Sequence, residues 1–124
     1  MYPALDTVIS RIIDQHVGEY KDNGEINAIS WDELVQEVNL SSRERIIGAK
    51  EIRDVIHDLR KNKSLICSSA NGYFRPATLN EGLAFVDRVY RTPAKDELKT
   101  ARIQREALKE HFGGQLALSL GSED

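Results

Sequence analysis

Apolar residues recur along most of this chain at helix spacing, and the places where that spacing breaks divide it into elements. From Leu5, the positions Val8, Ile9, Ile12, Ile13, Val17 and Tyr20 follow the three- and four-residue spacing of an amphipathic helix, and Asp6 in its first turn complements the helix dipole. Lys21-Asp22-Asn23-Gly24-Glu25 reads as a loop broken at Gly24, and Ile26 and Ile29 as a short strand edge. Ser30, with Glu33 three residues on, makes a capping box that opens a second helix carrying Trp31, Leu34, Val35 and Val38 inward. Trp31 stands at helix spacing among aliphatics, which predicts a core anchor rather than a platform for stacked bases. Asn39 to Gly48 is a turn longer than the three or four residues of a tight helix-turn-helix, with room for an extra helical turn.

The chain is organised around residues 49–76. Ile52, Val55, Ile56 and Leu59 share one face of a helix predicted over Ala49 to Lys61, which leaves Lys50, Arg53, His57, Arg60 and Lys61 on its other faces. Short strand-like runs at Ser64 to Ser68 and Tyr73 to Arg75 then meet at Asn71-Gly72, a pair that tolerates positive φ and so suits a tight hairpin with its turn at 69–72. Pro76, lacking a backbone donor, closes the second strand. A helix feeding a β-hairpin is the core of a winged helix. Asn80 is the expected N-cap of a helix from Glu81 that presents Leu83, Phe85, Val86, Val89 and Tyr90; Pro93 interrupts it. A further helix over Ala94 to His111 has only the thin stripe Leu98, Ala101, Leu108 and Phe112, and needs cover from either the body of the domain or a second copy in a homodimer. The expected class is α+β, mostly helical: a winged helix-turn-helix domain over 1–92, a C-terminal helix over 93–112 and a flexible tail over 113–124.

Composition narrows the partners. The chain has 124 residues, 40% hydrophobic and 30% charged, which suits one globular domain, and no apolar run nears the roughly 20 residues of a membrane helix. With no secretion signal at the N-terminus and a lone cysteine, Cys67, the expectation is a cytoplasmic protein without disulfides. The net charge of −3 conceals an asymmetry: residues 1–40 hold 2 basic and 8 acidic side chains, whereas residues 41–112 hold 15 and 10. Basic charge therefore gathers where a double-stranded DNA footprint would fall. On that reading Lys50, Arg53 and His57 face the major groove and Lys61, Lys63 and Arg75 meet phosphates; Asp54 and Asp58 on the same helix oppose it, and the competing reading is a solvated surface of mixed sign.

Chemistry is sparse. His16, His57 and His111 stand far apart with no second ligand at metal spacing, so neither a metal site nor a cofactor is expected. Gly48 and Gly113-Gly114 lack the lysine and spacing of a phosphate loop, and Ser68-Ser69 have no histidine and carboxylate in an interpretable pattern. No enzyme is expected and no catalytic residue is assigned.

The run Lys63 to Pro76, with Ile66-Cys67-Ser68-Ser69 before Gly72-Tyr73-Phe74, resembles the wing hairpin of small winged-helix proteins of bacteriophages and prophages, over about residues 25–92. That resemblance implies DNA binding in replication or transcription control, in the cytoplasm of a bacterial host. Gln115, Leu116, Leu118 and Leu120 match a six-residue Gln-Leu-x-Leu-x-Leu pattern similar to the peptides by which bacterial replication proteins bind the sliding clamp. An extended peptide of this kind offers an amide and spaced leucines to a preformed pocket, although leucine-rich ends also close cores. Three functions follow: a DNA-binding protein of replication recruited to the clamp; an adaptor or inhibitor of the host replication machinery without DNA binding; and a transcriptional regulator.

Overall fold

The computed structural model describes residues 4–16, 23–42, 45–90 and 95–113. Helix α1, Leu5–Gln15, buries Val8, Ile9, Ile12 and Ile13, and the described helix closes with the His16 N–H donating to the Ile13 carbonyl at 3.2 Å. Val17 and Tyr20, expected to continue it, lie outside the described residues. One turn of 3-10 helix, Glu25–Asn27, follows, and leaves Ile26 89% exposed, so Ile26 forms no strand edge. Ile29 does: it is buried and exchanges two backbone hydrogen bonds with Tyr73, at 2.9 and 2.8 Å.

Helix α2, Trp31–Ser41, begins as expected, with the Ser30 Oγ accepting from the Glu33 N–H at 3.2 Å. Leu34 and Val38 are fully inside, Trp31 and Val35 only partly. In the connection that follows, the described residues hold no extra helical turn. Instead Asn39 staples it: its Oδ1 accepts from the Ile47 N–H at 2.6 Å and its Nδ2 donates to the Val35 and Ile47 carbonyls. Ile47 is thereby held in the core while Ile46 faces out. Helix α3, Ala49–Lys61, has the expected limits and buries Ile52 and Ile56, together with Arg60, which polarity alone had placed on another face. It ends in a left-handed cap: the Ser64 N–H reaches the Leu59 carbonyl at 2.9 Å, the Lys63 N–H the Arg60 carbonyl at 3.3 Å, and Lys63 takes φ 72 where glycine is the usual occupant.

Strands β1, Cys67–Ser69, and β2, Gly72–Phe74, pair antiparallel with Cys67 opposite Phe74 and Ser69 opposite Gly72. The turn does lie at 69–72, but its two loop residues are Ala70 and Asn71; Asn71 has negative φ, and Gly72 already belongs to β2 with φ 126. The first strand also begins later than the strand-like run from Ser64, and the preceding carbonyls are taken by side chains. Gln104 Nε2 donates to the Ser64 carbonyl at 3.0 Å, Arg75 Nη1 to that of Leu65 at 2.8 Å, and Arg60 Nε to that of Ile66 at 2.8 Å.

Helix α4, Leu79–Val89, starts two residues before the expected point, capped by Thr78, whose Oγ1 accepts from the Glu81 N–H at 3.1 Å, rather than by Asn80. Helix α5, Lys95–His111, packs on α3 and α4. Leu98, expected to face inward, is 56% exposed, while Thr100, Ala101, Gln104, Ala107 and Leu108 are buried. The helix thus lies against its own domain as part of the same packed body. Two cores result. Helices α1 to α3 enclose the first with Ile29 and Ile66, and the hairpin, α4 and α5 enclose the second around Phe74, Phe85, Val86 and Leu108. Gly82 permits the close approach of α4 and α5, since a β-carbon there would stand 2.2 Å from Leu108 Cδ2. Within the second core the Cys67 thiol is buried and pushed up to about 12 by that burial, so it stays protonated at neutral pH.

Gly72→Ala tests the approach of β2 to Ile29. A β-carbon would stand 1.9 Å from the Ile29 carbonyl oxygen on a backbone at φ 126, whereas at Gly48 it would meet nothing within 4 Å. Urea denaturation is expected to show a loss of roughly 2 to 5 kcal/mol for Gly72→Ala, from strain plus overpacking. Gly48→Ala should change stability by less than about 1 kcal/mol. Equal stability of the two variants would contradict the observed register.

Candidate nucleic-acid interface

Lys50, Arg53, His57 and Lys61 recur at spacings of three and four and stand on one exposed stripe of α3, opposite Ile52, Ile56 and Leu59. The stripe is mixed in sign. Asp54 lies on it with its carboxylate 2.9 Å from Lys50 Nζ, and this hydrogen bond raises the lysine above its ordinary pKa. Both partners are open to solvent, so the pair contributes little to stability, but it neutralises one cation of the stripe at neutral pH. Asp58 is exposed one turn further on. At the N-terminal end of α3, Arg45 forms a two-pronged pair with Glu51, at 2.8 and 2.6 Å, which holds the Glu51 carboxyl below its usual range.

Arg53 is placed differently. Its guanidinium lies over the Trp31 ring, 4.7 Å from the centroid, and Trp31 in turn leans on Tyr73 of β2, ring centroids 5.9 Å apart at 49°. These three residues join the start of α2, the exposed face of α3 and the hairpin. Trp31 therefore is a core anchor on one side, where it packs against the first core, and a wall of a surface cleft on the other. Its role in the cleft was not foreseeable from helix spacing, because the ring that it meets is 42 residues further along the chain.

Arg75 does not belong to this surface. Its side chain is 17% exposed; Nε donates to Asp14 Oδ1 at 2.8 Å, and Nη1 to Ser64 Oγ and the Leu65 carbonyl, each at 2.8 Å. The guanidinium ties β2 to α1 and to the segment before β1, so the phosphate role expected for it is replaced by a structural one. Lys63 is exposed, but lines a cleft of about 500 Å³ with Asp14, Arg75, Glu110 and His111, where carboxylates offset the cations. Gln115, Leu116, Leu118 and Leu120 lie outside the described residues.

Two buried residues fasten α3 to its neighbours on the side away from the stripe, and neither carries a sequence signal beyond its place on a helix face. Arg60 is 6% exposed, and burial draws its guanidinium below its ordinary pKa; Nε is satisfied by the Ile66 carbonyl and the flat cation lies 5.0 Å from the Phe85 ring centre. Gln104 is 2% exposed and donates to the carbonyls of Arg60 and Ser64, fastening the C-terminal end of α3 to α5. Among the described residues, no three His, Cys, Asp or Glu side chains come together as metal ligands, and no helix is long and apolar enough to cross a membrane. No protein-family model, curated protein or solved structure matches the chain.

Arg75→Ala is expected to lower stability by roughly 1 to 3 kcal/mol in urea denaturation, because it strands the Leu65 carbonyl and breaks the tie to α1. Lys61→Ala, at an exposed site, should stay within about 0.5 kcal/mol of the parent. An Arg75→Ala protein of full stability would contradict the structural role.

Proposed function

We infer that this chain is a DNA-binding protein built on a winged helix, which meets duplex with the exposed face of α3 and the hairpin. The observation that carries the reading is the single stripe of Lys50, Arg53, His57 and Lys61 opposite the buried face of the helix, with Arg53 lining a cleft against the hairpin. The element order supports it: three helices, then a hairpin, with Ile29 before α2 bridging to β2 as a rudimentary third strand. A helix presented in this way fits the major groove, and the adjacent hairpin reaches the flanking backbone. Action in DNA replication or its regulation, in a bacteriophage setting, rests on the resemblance of the 63–76 run. Recruitment to the bacterial sliding clamp through Gln115, Leu116, Leu118 and Leu120 rests on the tail motif.

Asp54 and Asp58 favour a second reading, a replication-machinery adaptor that uses this domain as scaffold and its tail as hook, because both place negative charge where phosphates would approach. Fluorescence anisotropy of the full chain with a random duplex separates the two. With Arg53 and Lys61 engaged, affinity is expected to fall roughly tenfold between about 50 and 200 mM salt. Absence of binding at the lower salt, or affinity indifferent to salt, would overturn the DNA reading and leave the adaptor.

A further inference from the structure

The cleft between α2, α3 and the hairpin has a composition that its neighbours lack. It measures about 280 Å³, and its lining includes Trp31, Arg53, Ser68, Ser69, Asn71 and Tyr73: one cation, several hydrogen-bonding groups and no carboxylate. The cleft beside Lys63 contains Asp14 and Glu110, and the one under α1 contains Asp6 and Asp14. An anion is thus repelled by acids in those clefts and meets none in the lining of this one.

Arg53 is also the cation of the α3 stripe whose charge is both available and oriented. Lys50 is occupied by Asp54, and Arg75 is turned inward, whereas Arg53 has no ion pair among the described residues. Its guanidinium instead lies over an indole, 4.7 Å from the ring centre, that is itself held by Tyr73 and by the first core. A cation–π contact of this kind restrains the side chain without consuming its N–H donors, so it loses less entropy when a ligand arrives.

We propose that this cleft seats one backbone phosphodiester of bound DNA, with Arg53 as its charged ligand and Trp31 as the residue that positions Arg53. The phosphate oxygens accept from the guanidinium, and the serine hydroxyls and the Asn71 amide at the hairpin supply further donors. Restraint distinguishes this site from the rest of the stripe: Lys61 offers a point charge on a flexible stem, while Arg53 offers a fork held over Trp31 at the cleft. The proposal rests on the DNA reading given above, and the experiment keeps the two apart.

The test is a double-mutant cycle on the full chain, read by duplex affinity across a salt series, with thermal melting of each protein alongside. Arg53→Ala is expected to weaken binding about tenfold and to reduce the salt slope by roughly one. Trp31→Leu should weaken binding by a comparable factor, and the double variant should be no weaker than Arg53→Ala alone, since the ring acts through the guanidinium. Arg53→Lys keeps the charge but loses the planar fork over the ring; it should bind several-fold more weakly at an unchanged melting temperature, and it carries the test if Trp31→Leu does not fold. If the parent shows salt-sensitive binding that Arg53→Ala leaves intact, the phosphodiester seat is wrong and the DNA reading stands. Additive losses in the cycle, or parent-like affinity of Arg53→Lys, would remove Trp31 from its positioning role. A parent that binds no duplex overturns both.

Discussion

Residues 62–66, between α3 and the hairpin, have backbone groups that no strand satisfies, and much of the remaining structure is arranged to satisfy them. A buried carbonyl without a donor costs roughly 1 to 3 kcal/mol and a partly buried one less, so losing the donors to the buried Ile66 and half-buried Ser64 and Leu65 carbonyls would remove a large share of a small domain's stability. Three long side chains take them: Gln104 from α5, Arg75 from β2 and Arg60 from α3 itself donate to the carbonyls of Ser64, Leu65 and Ile66. Each donor is tied to a second element. Gln104 also holds the Arg60 carbonyl, Arg75 also holds Asp14 of α1, and the Arg60 guanidinium rests near the Phe85 ring of α4. The connection that sets the angle between α3 and the hairpin is thus a junction through which both cores are bolted together.

That junction explains why a helix as polar as α5 belongs to the fold. Its thin apolar stripe, Ala101, Ala107 and Leu108, is supplemented by a buried glutamine whose work is directional, and Gly82 lets α4 come close enough to complete the contact. The stripe is covered by the chain's own body, which removes the need for a second copy as its cover. Functionally, the cost is that cations valuable to a DNA surface are spent inside. Arg60 and Arg75 serve the junction and Lys50 is matched by Asp54, which leaves Arg53, His57 and Lys61 to give the exposed stripe its character.

Much of the architecture was legible where local physics decides it. The limits of α3 and the Ser30 cap of α2 follow from apolar spacing and a side-chain oxygen at the right offset, and the hairpin turn lies at 69–72 as expected, although its loop is Ala70-Asn71 and not the Asn71-Gly72 pair that pointed to it. What stayed hidden depends on partners distant in sequence. Arg60 and Gln104 look like surface residues until the carbonyls they serve are in place, and Arg75 looks like a phosphate ligand until Asp14, 61 residues earlier, is brought beside it. Lys63 ends α3 in a left-handed cap with no glycine to announce it, and Leu98 and Ile26 are apolar without being buried. The candidate interface divides in the same way: the stripe on α3 follows from helical periodicity, whereas the Trp31, Arg53 and Tyr73 constellation requires the Ile29 bridge that sets β2 against α2.

On the proposed reading, the face shared by α3 and the hairpin, held at its angle by the 62–66 junction, is where this protein meets nucleic acid. Backbone amide shifts recorded by NMR on the intact chain during titration with duplex examine it directly. The largest changes are expected along residues 50–61 and 68–73, accompanied by the Trp31 indole N–H, with α5 from Ala101 to Leu108 nearly silent. Changes concentrated on α4 and α5, or confined to the residues after Gly113, would contradict the claim and locate the binding surface elsewhere.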